Sequence, residues 1–469
     1  MIPVPLLLVA VPLILAGIVY PLRRITPVAA LLGAAGGLLL SWLAYAAPLS
    51  AEETMLNGRI VGGVHIVLGR PLAMLAADRL ILIVLGLTAA VLMVLAARLR
   101  PGDIFFPGLL ALLGLVAAIL VNETFVFSVL LIELTAGLIT FLLQGSRFGS
   151  SRGAWRFFIF ATLAMPFLLV AGWQIDFQAA NPGQIELLNP AVLLLTLGFL
   201  IYLAAVPFHF WIGPAATESE PLVQVVVLGF FPVAVLSVIT GAFDRFPWFA
   251  ASPTPYQWFT FAGTLTVVLG IALAFGARSF GRLAGYTLLA DMGAVLLLLG
   301  LKNRLGLEAA WAVTLLRLAS LTIWAAGLTP LRRLAGSDEV MAAAGLGWQA
   351  RLATVVLVLG GLSLAGFPLT PGFAGRWTAA NLLANESLGR GMLLLVGSAS
   401  GVIGVLRMAT VLLTHRDQEE EELPARPRWA WLTTVVLAGV TSGAVALSLF
   451  PIPLLRVASQ ITNSFTYPP

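Results

Sequence analysis

Five ionisable side chains sit inside long apolar runs of this 469-residue sequence: Glu133, His209, Asp291, Arg317 and Arg376. An ionisable group placed in hydrocarbon costs about 3 kcal/mol or more, so such residues mark ion or proton paths by default. Glu133 lies in "VFSVLLIELTAGLITFLL" with no other charge within a helical turn. It reads as a proton-carrying carboxyl, or as a neutral carboxyl that is purely structural. Asp291, in "GYTLLADMGAVLLLLG", can titrate or can hold Arg317 of the next apolar run, "AVTLLRLASLTIW", as a buried ion pair. A buried charge without a partner costs far more than a paired one. Arg317 and Arg376 (in "PGFAGRWTAANLL") keep their charge when buried; they position water and tune a neighbouring carboxyl but do not relay protons alone. His209, in "VPFHFWIGP", titrates near the working range and can gate a proton path, or can bond to backbone freed by the adjacent prolines. Asp78 with Arg79 reads as an interfacial pair, and Glu218 and Glu220 as solvated loop carboxylates.

These residues need a membrane to give them meaning, and the composition supplies it. Hydrophobic residues make up 60% of the chain and charged ones 10%, against roughly a quarter charged in soluble proteins. The mean hydropathy is +1.01. Apolar runs of about twenty residues match a bilayer core of roughly 30 Å crossed by helices, and the ten-residue alternation of a membrane β-barrel is absent. A water-soluble enzyme is excluded. The chain has no cysteine, so thiolate-held iron–sulfur clusters and disulfides are excluded, and the three histidines, His65, His209 and His415, show no paired metal spacing. The net charge of +5 comes from arginines in short loops, a topology signal and not a nucleic-acid patch. The first apolar run, Ile2 to Tyr20, lacks a basic lead and a small-residue cleavage site and reads as a retained helix.

The expected fold is all-α and polytopic, with about fourteen spans near 2–22, 26–47, 73–98, 104–121, 123–144, 155–173, 187–208, 221–243, 256–276, 281–301, 306–329, 352–385, 389–414 and 428–452. The arginine-rich loops hold Arg23/Arg24, Arg98/Arg100, Arg147/Arg152/Arg156, Arg278/Arg282, Arg332/Arg333/Arg351 and Arg416/Arg426/Arg428. They follow odd-numbered spans, which places those loops in the cytoplasm and both termini outside. The run from Asp417 to Arg428 reads as a solvated connector. Spans 7 and 12 both carry proline breaks, "LAAVPFHFWIGP" and "LAGFPLTPGFAGRW". They lie five spans apart and so point in opposite directions. Spans 4–8 and 9–13 therefore read as two inverted repeats, each with one discontinuous helix exposing backbone to a polar cavity; two independent proline kinks are the plainer alternative. This divides one membrane domain (1–469) into N-terminal helices (1–100), a first repeat (101–245), a second repeat (255–415) and a last helix with its tail (428–469).

The motifs "VPFHFW", "GFPLTPGFAG" and "GRLAGYTLLADMG", together with the lone glutamate of span 5, resemble the antiporter-like membrane subunits of respiratory complex I. The large subunits of Mrp antiporters and of membrane-bound hydrogenases are relatives of these. The resemblance spans essentially the whole chain and looks most like the complex I subunit nearest the quinone-binding part. It implies an ion path in which Glu133 holds the family's glutamate position and Arg376 its lysine or glutamate position after "FxG". It also implies lysines in spans 7, 8 and 10 or 11, and here the sequence departs. Lys302 is the only lysine, Tyr202 and Ala234 stand where the lysines of spans 7 and 8 are expected, Leu315 and Ala319 fall at the usual histidine and lysine of span 11, and Asp291 takes a histidine-like position.

Three functions follow from that resemblance. The first is a subunit translocating protons or sodium in a complex I-like quinone-reducing assembly, with a partly degraded path through Glu133, His209, Asp291, Arg317 and Arg376. The second is a non-pumping structural subunit of the same assembly, and the third a stand-alone cation/proton antiporter. The chain itself is expected to do no redox chemistry and to carry no cofactor or metal. Its expected partners are other membrane-arm and redox subunits and the lipids of a prokaryotic-type inner or equivalent energy-coupling membrane, and not nucleic acid.

Overall fold

The computed structural model describes residues 2–50, 54–55, 60–67, 69–145, 151–181, 183, 185–414 and 430–466. The arginine-rich turn at Arg147, the Asp417–Arg428 connector and His415 lie outside the described residues. The helices are α1 (Val4–Leu22), α2 (Thr26–Ala46), α3 (Ala76–Leu99), α4 (Phe105–Val121), α5 (Phe125–Gln144) and α6 (Ser151–Ala180). Then come α7 (Leu188–Tyr202), α8 (Ile212–Glu218), α9 (Pro221–Arg245), α10 (Thr254–Phe275), α11 (Phe280–Leu299) and α12 (Arg304–Ala335). The last are α13 (Arg351–Ala365), α14 (Phe373–Glu386), α15 (Leu388–Leu413), α16 (Ala430–Leu449) and α17 (Ile452–Asn463). Among the described residues, eleven of these are long and apolar enough to cross a membrane, and α4, α7 and α13 are shorter apolar helices. The chain is a polytopic, helical integral membrane protein.

Small β elements between α2 and α3 were not expected from the sequence. His65–Val67 pairs antiparallel with Arg70–Leu72, and Ile60–Val61 bridges Ile2–Pro3 and Thr54–Met55. They satisfy backbone groups of the long α2–α3 connection, in part by pairing it with Ile2–Pro3 ahead of α1.

Local chemistry explains several helix ends. Asn303 caps α12 by accepting from the Gly306 amide at 2.7 Å, and Ser279 caps α11. Asp78 caps α3 by accepting from the Leu75 amide at 2.9 Å, and Arg79 donates to the Ala47 carbonyl instead. The expected Asp78–Arg79 pair is therefore replaced, because an acidic residue at the third helical position is drawn to unpaired N-terminal amides.

Small residues let the helices close up. A Cβ on Gly270 of α10 would come within 2.5–2.9 Å of Ala290 of α11, and one on Gly293 within 2.7 Å of the Val267 amide. That is the small-residue seam by which membrane helices pack in the absence of a hydrophobic driving force. The helices differ sharply in burial: the apolar windows of α9 and α12 are 94% buried, while that of α16 is 11% buried. α9, α11 and α12 form the centre of the molecule, and α9 contains a π-helical turn at Val226–Phe230, where Gly229 lies against Leu318 of α12.

Both expected breaks are present. α7 stops at Tyr202 and the chain resumes as α8 at Ile212, with the Val206 amide donating to Thr266 Oγ1 of α10 at 3.0 Å. α13 ends at Ala365 with Gly366 in the left-handed region (φ 72°), and α14 begins at Phe373.

Candidate functional site

The break between α13 and α14 meets the two central helices at one carboxylate. Asp291 of α11 accepts from Arg317 Nε of α12 at 2.6 Å through Oδ2, and from Arg376 Nη2 of α14 at 2.9 Å through Oδ1. All three are buried, at 6%, 3% and 4% exposure. Salt bridges with each oxygen engaged and nearly no water access are strong, charge-assisted contacts. The Asp291–Arg317 pair is the one expected from the sequence; Arg376 makes it a triad with one acid and two bases.

The break positions Arg376. Its Nη2 also reaches the Leu364 carbonyl at 3.2 Å, one of the acceptors left open where α13 ends. Gly366 is required twice at this point: its φ is positive, and a Cβ there would lie 2.7 Å from Arg376 Cγ. Ser363 Oγ accepts from the Gly372 amide at 3.0 Å and bonds Ser320 Oγ at 2.7 Å, tying the break to α12. Ser320 was missed in the sequence, though it stands three residues after Arg317 on the same helical face, a spacing that could have flagged it.

Two donors of the triad, Arg317 Nη2 and Arg376 Nη1, have no hydrogen-bond partner. Beside them lies a cavity of about 10 Å³ lined by Asp291, Arg317, Ser320, Ser363 and Arg376. That volume is close to the least that accommodates one water molecule; polar groups line one part of it, and Leu288, Val313, Leu316 and Leu364 the rest. Arg317 Nη1 meanwhile lies 2.9 Å from the sulfur of Met292.

The first half of the chain offers much less. Glu133 of α5 accepts one hydrogen bond, from Thr162 Oγ1 of α6 at 2.6 Å, and its Oε2 is buried without a partner. Thr162 has no sequence signal of its own. Tyr202, at the position where the resemblance implies a lysine, is buried, lies within electrostatic range of Glu133, and leaves its hydroxyl without a partner. His209 is buried in the break between α7 and α8, its ring tilted 32° against that of Phe210 with centroids 4.4 Å apart. Its ring lies near the Pro207 backbone, yet Nδ1 lacks the geometry of a full hydrogen bond. Among the described residues no ion pair involves Glu133 or His209 and joins them to the Asp291 triad.

A second charged cluster lies at one face of the bundle, and it overturns the reading of Glu220 as solvated, while Glu218 is partly exposed. Glu220 is 1% exposed, with Arg333 Nη2 3.8 Å from its Oε1, and Glu218 accepts from the Gly153 amide at 2.9 Å. Arg332 donates to the carbonyls of Thr217 and Ser219 and lies 3.5 Å from Asp338. Asp338 accepts from the Gly281 amide at the start of α11 at 3.1 Å. Burial pushes its carboxyl up to about 7, against the pull of Arg332. The α8–α9 loop is drawn under the end of α12, which a charge run in a loop does not reveal.

Comparison with known proteins places this architecture. A family model described as "NADH:quinone oxidoreductase/Mrp antiporter, TM" matches residues 133–404. That stretch contains all five candidate residues. NADH-quinone oxidoreductase subunit N of Mycobacterium tuberculosis is 29% identical over 282 residues, covering 57% of this chain and 51% of that protein. Subunit N of Desulforamulus reducens is 26% identical over 292 residues, 61% of this chain and 60% of that one. The chain thus spans about half the length of the curated relatives it matches. In fold it resembles a chain of the membrane-bound sulfane sulfur reductase, an archaeal respiratory membrane complex (TM-score 0.82, 18% identity, 98% and 97% covered). It also resembles chains of the Dietzia Mrp complex (TM-score 0.76, 16% identity, 99% and 97%) and of Thermus thermophilus respiratory complex I (TM-score 0.72, 18% identity, 98% and 99%). With more than half its length matched, including both helix breaks and every candidate side chain, the chain belongs to the NADH:quinone oxidoreductase/Mrp antiporter family of membrane proteins.

Proposed function

We propose that this protein is an ion-translocating membrane-arm subunit of a complex I-like, quinone-reducing assembly. Its working path runs through the second half at Asp291, Arg317 and Arg376, and the path of the first half, at Glu133 and His209, is degraded. The observation that carries this reading is the triad at the α13–α14 break: one carboxylate, two guanidiniums, two free donors and a water-sized polar cavity deep in apolar surroundings. A buried cluster of this kind is costly as a stability device, since an apolar core of the same volume usually does as well or better. Its retention fits a site where charge must pass or be sensed. Arginine does not give up its proton, so protons move here along water ordered by the guanidiniums and on and off Asp291.

The wider architecture of the proposal has fourteen spans, counting α7–α8 and α13–α14 as one broken span each and leaving out the twelve-residue α17. Residues 101–245 and 255–415 form the inverted repeats, residues 1–100 the N-terminal helices and 428–469 the last helix and tail, with both termini outside. The relatives named above are parts of NADH-quinone oxidoreductases, and the solved neighbours come from multi-subunit respiratory and Mrp complexes. Companion membrane-arm and redox subunits are the partners this supports, in a prokaryotic-type inner membrane. The missing lysine partner of Glu133 also favours a second reading, a structural subunit that no longer pumps. Purification in mild detergent, followed by ion translocation per electron pair in proteoliposomes, separates the readings. Companion redox chains with pumping abolished by Asp291→Asn in complexes that still assemble and reduce quinone support the first, companions with pumping unaffected support the structural subunit, and a solitary protein exchanging cations supports an antiporter.

A further inference from the structure

A groove of about 530 Å³ opens at the membrane face where α10 and α15 begin and α11 ends. At its mouth stands Arg390, the third residue of α15. Among the described residues no carboxylate pairs with this guanidinium. The only lysine of the chain packs on one wall of the groove: Lys302 Nζ lies 5.2 Å from the centroid of the Tyr256 ring that lines it, and donates to the Ala251 carbonyl at 3.1 Å; Thr264 also lines the groove. Gln257 and Thr260 continue the polar end. Gly300 keeps the floor open, since a Cβ there would collide with the Thr260 hydroxyl.

The other end is hydrocarbon. Phe261 and Leu265 are exposed along α10, at 59% and 41%. Tyr256 to Leu265 is nine residues of helix, about 14 Å of rise. That is close to half of the roughly 30 Å bilayer core, so the groove has the length of one leaflet's acyl chains. Trp258, 48% exposed near the start of α10, is the kind of aromatic side chain that marks a membrane interface.

We propose that this groove binds one anionic phospholipid of the leaflet on that side, with its phosphate on Arg390 and an acyl chain laid along Phe261 and Leu265. Free phosphate would meet the guanidinium but leave the apolar slot unused; the match of charge at one end and a leaflet-deep hydrocarbon slot below it is to an amphiphile. This assignment rests on the membrane-spanning architecture and is independent of the ion path.

The test uses the protein with whatever chains co-purify, in nanodiscs of phosphatidylglycerol or phosphatidylcholine, with retained lipid counted by native mass spectrometry. Wild type is expected to prefer phosphatidylglycerol by about five-fold, the worth of one basic residue at an anionic surface. Arg390→Gln removes that preference, and Thr264→Phe, which fills the slot while keeping the charge, loses retained lipid of both kinds. The proposal is overturned if Arg390→Gln retains phosphatidylglycerol as wild type does, or if inorganic phosphate displaces it. Because the chain has no native cysteine, Gln257→Cys adds a unique label within it. Cross-linking of that residue to a companion subunit, and not to a photoreactive lipid, equally overturns it.

Discussion

The two halves of the molecule meet the same problem, a carboxyl beside a broken helix, in different ways. In the second half Asp291 has both oxygens engaged by guanidiniums, one of which is fixed to backbone released by the break. In the first half Glu133 has one threonine, one orphan oxygen and a tyrosine in place of a base. The break in the second half holds a charge because a cation long enough to use a freed carbonyl, Arg376, stands just past it. Arg376 follows its break by ten residues from Gly366 and reaches back, whereas the α7–α8 break supplies only His209.

The comparison is broken most directly at Asp291. Asp291→Asn keeps the shape but leaves Arg317 and Arg376 buried with a neutral neighbour. Breaking one partner of a buried pair costs about 3–5 kcal/mol, so this variant is expected to accumulate poorly and to unfold at markedly lower temperature. Combining it with Arg376→Met should recover part of the loss. Wild-type thermal stability of Asp291→Asn, measured on the purified protein, would show that the triad holds no such energy.

Arg376 sharpens the comparison next. Arg376→Lys keeps one charge on Asp291 but surrenders the fork that also grips the Leu364 carbonyl. The expected loss is about 1–2 kcal/mol, that of a charged hydrogen bond, with translocation retained, whereas Arg376→Met should abolish translocation. Equal translocation by both variants would remove Arg376 from the path.

How much of this was legible in the sequence follows from the same residues. The Asp291–Arg317 pair could be read because each charge is isolated in an apolar run on adjacent spans, and burial demands a partner. That Arg376 joins them could not, because the prolines announce a break without saying where the chain after it points. That direction comes from the positive φ of Gly366 and the Ser320–Ser363 contact, both tertiary facts. Glu220 was misread for a related reason: loop charges look solvated until Arg332 and Arg333, at the far end of α12, are seen to cover them.

That face carries a pH dependence of its own. Asp338 has a carboxyl raised from 3.8 to about 7 by burial. Its contribution to stability is fully present below about pH 4 and is lost as pH rises through about 7, since the folded state binds the proton more tightly than the unfolded one. Asp338→Asn should flatten the fall in thermal stability between pH 4 and 7 while leaving Asp291→Asn as damaging as before. An unchanged pH profile would assign the dependence to another group.

The smallest effect is expected at Glu133. Glu133→Gln retains an oxygen to accept from Thr162 and removes only a charge that no base answers, so ion translocation per electron pair should change less than about two-fold, under about 0.4 kcal/mol. The informative contrast is Tyr202→Lys, which places a cation where the Tyr202 hydroxyl is buried near Glu133. If the first half is silent only because its base is missing, Tyr202→Lys should raise translocation, and adding Glu133→Gln to it should take the gain away. That reversal is the decisive outcome, because it makes Glu133 matter only when a cation faces it. A large loss in Glu133→Gln alone would show instead that Thr162 and Tyr202 suffice to make the carboxyl a relay, and the two halves would then differ in composition but not in function.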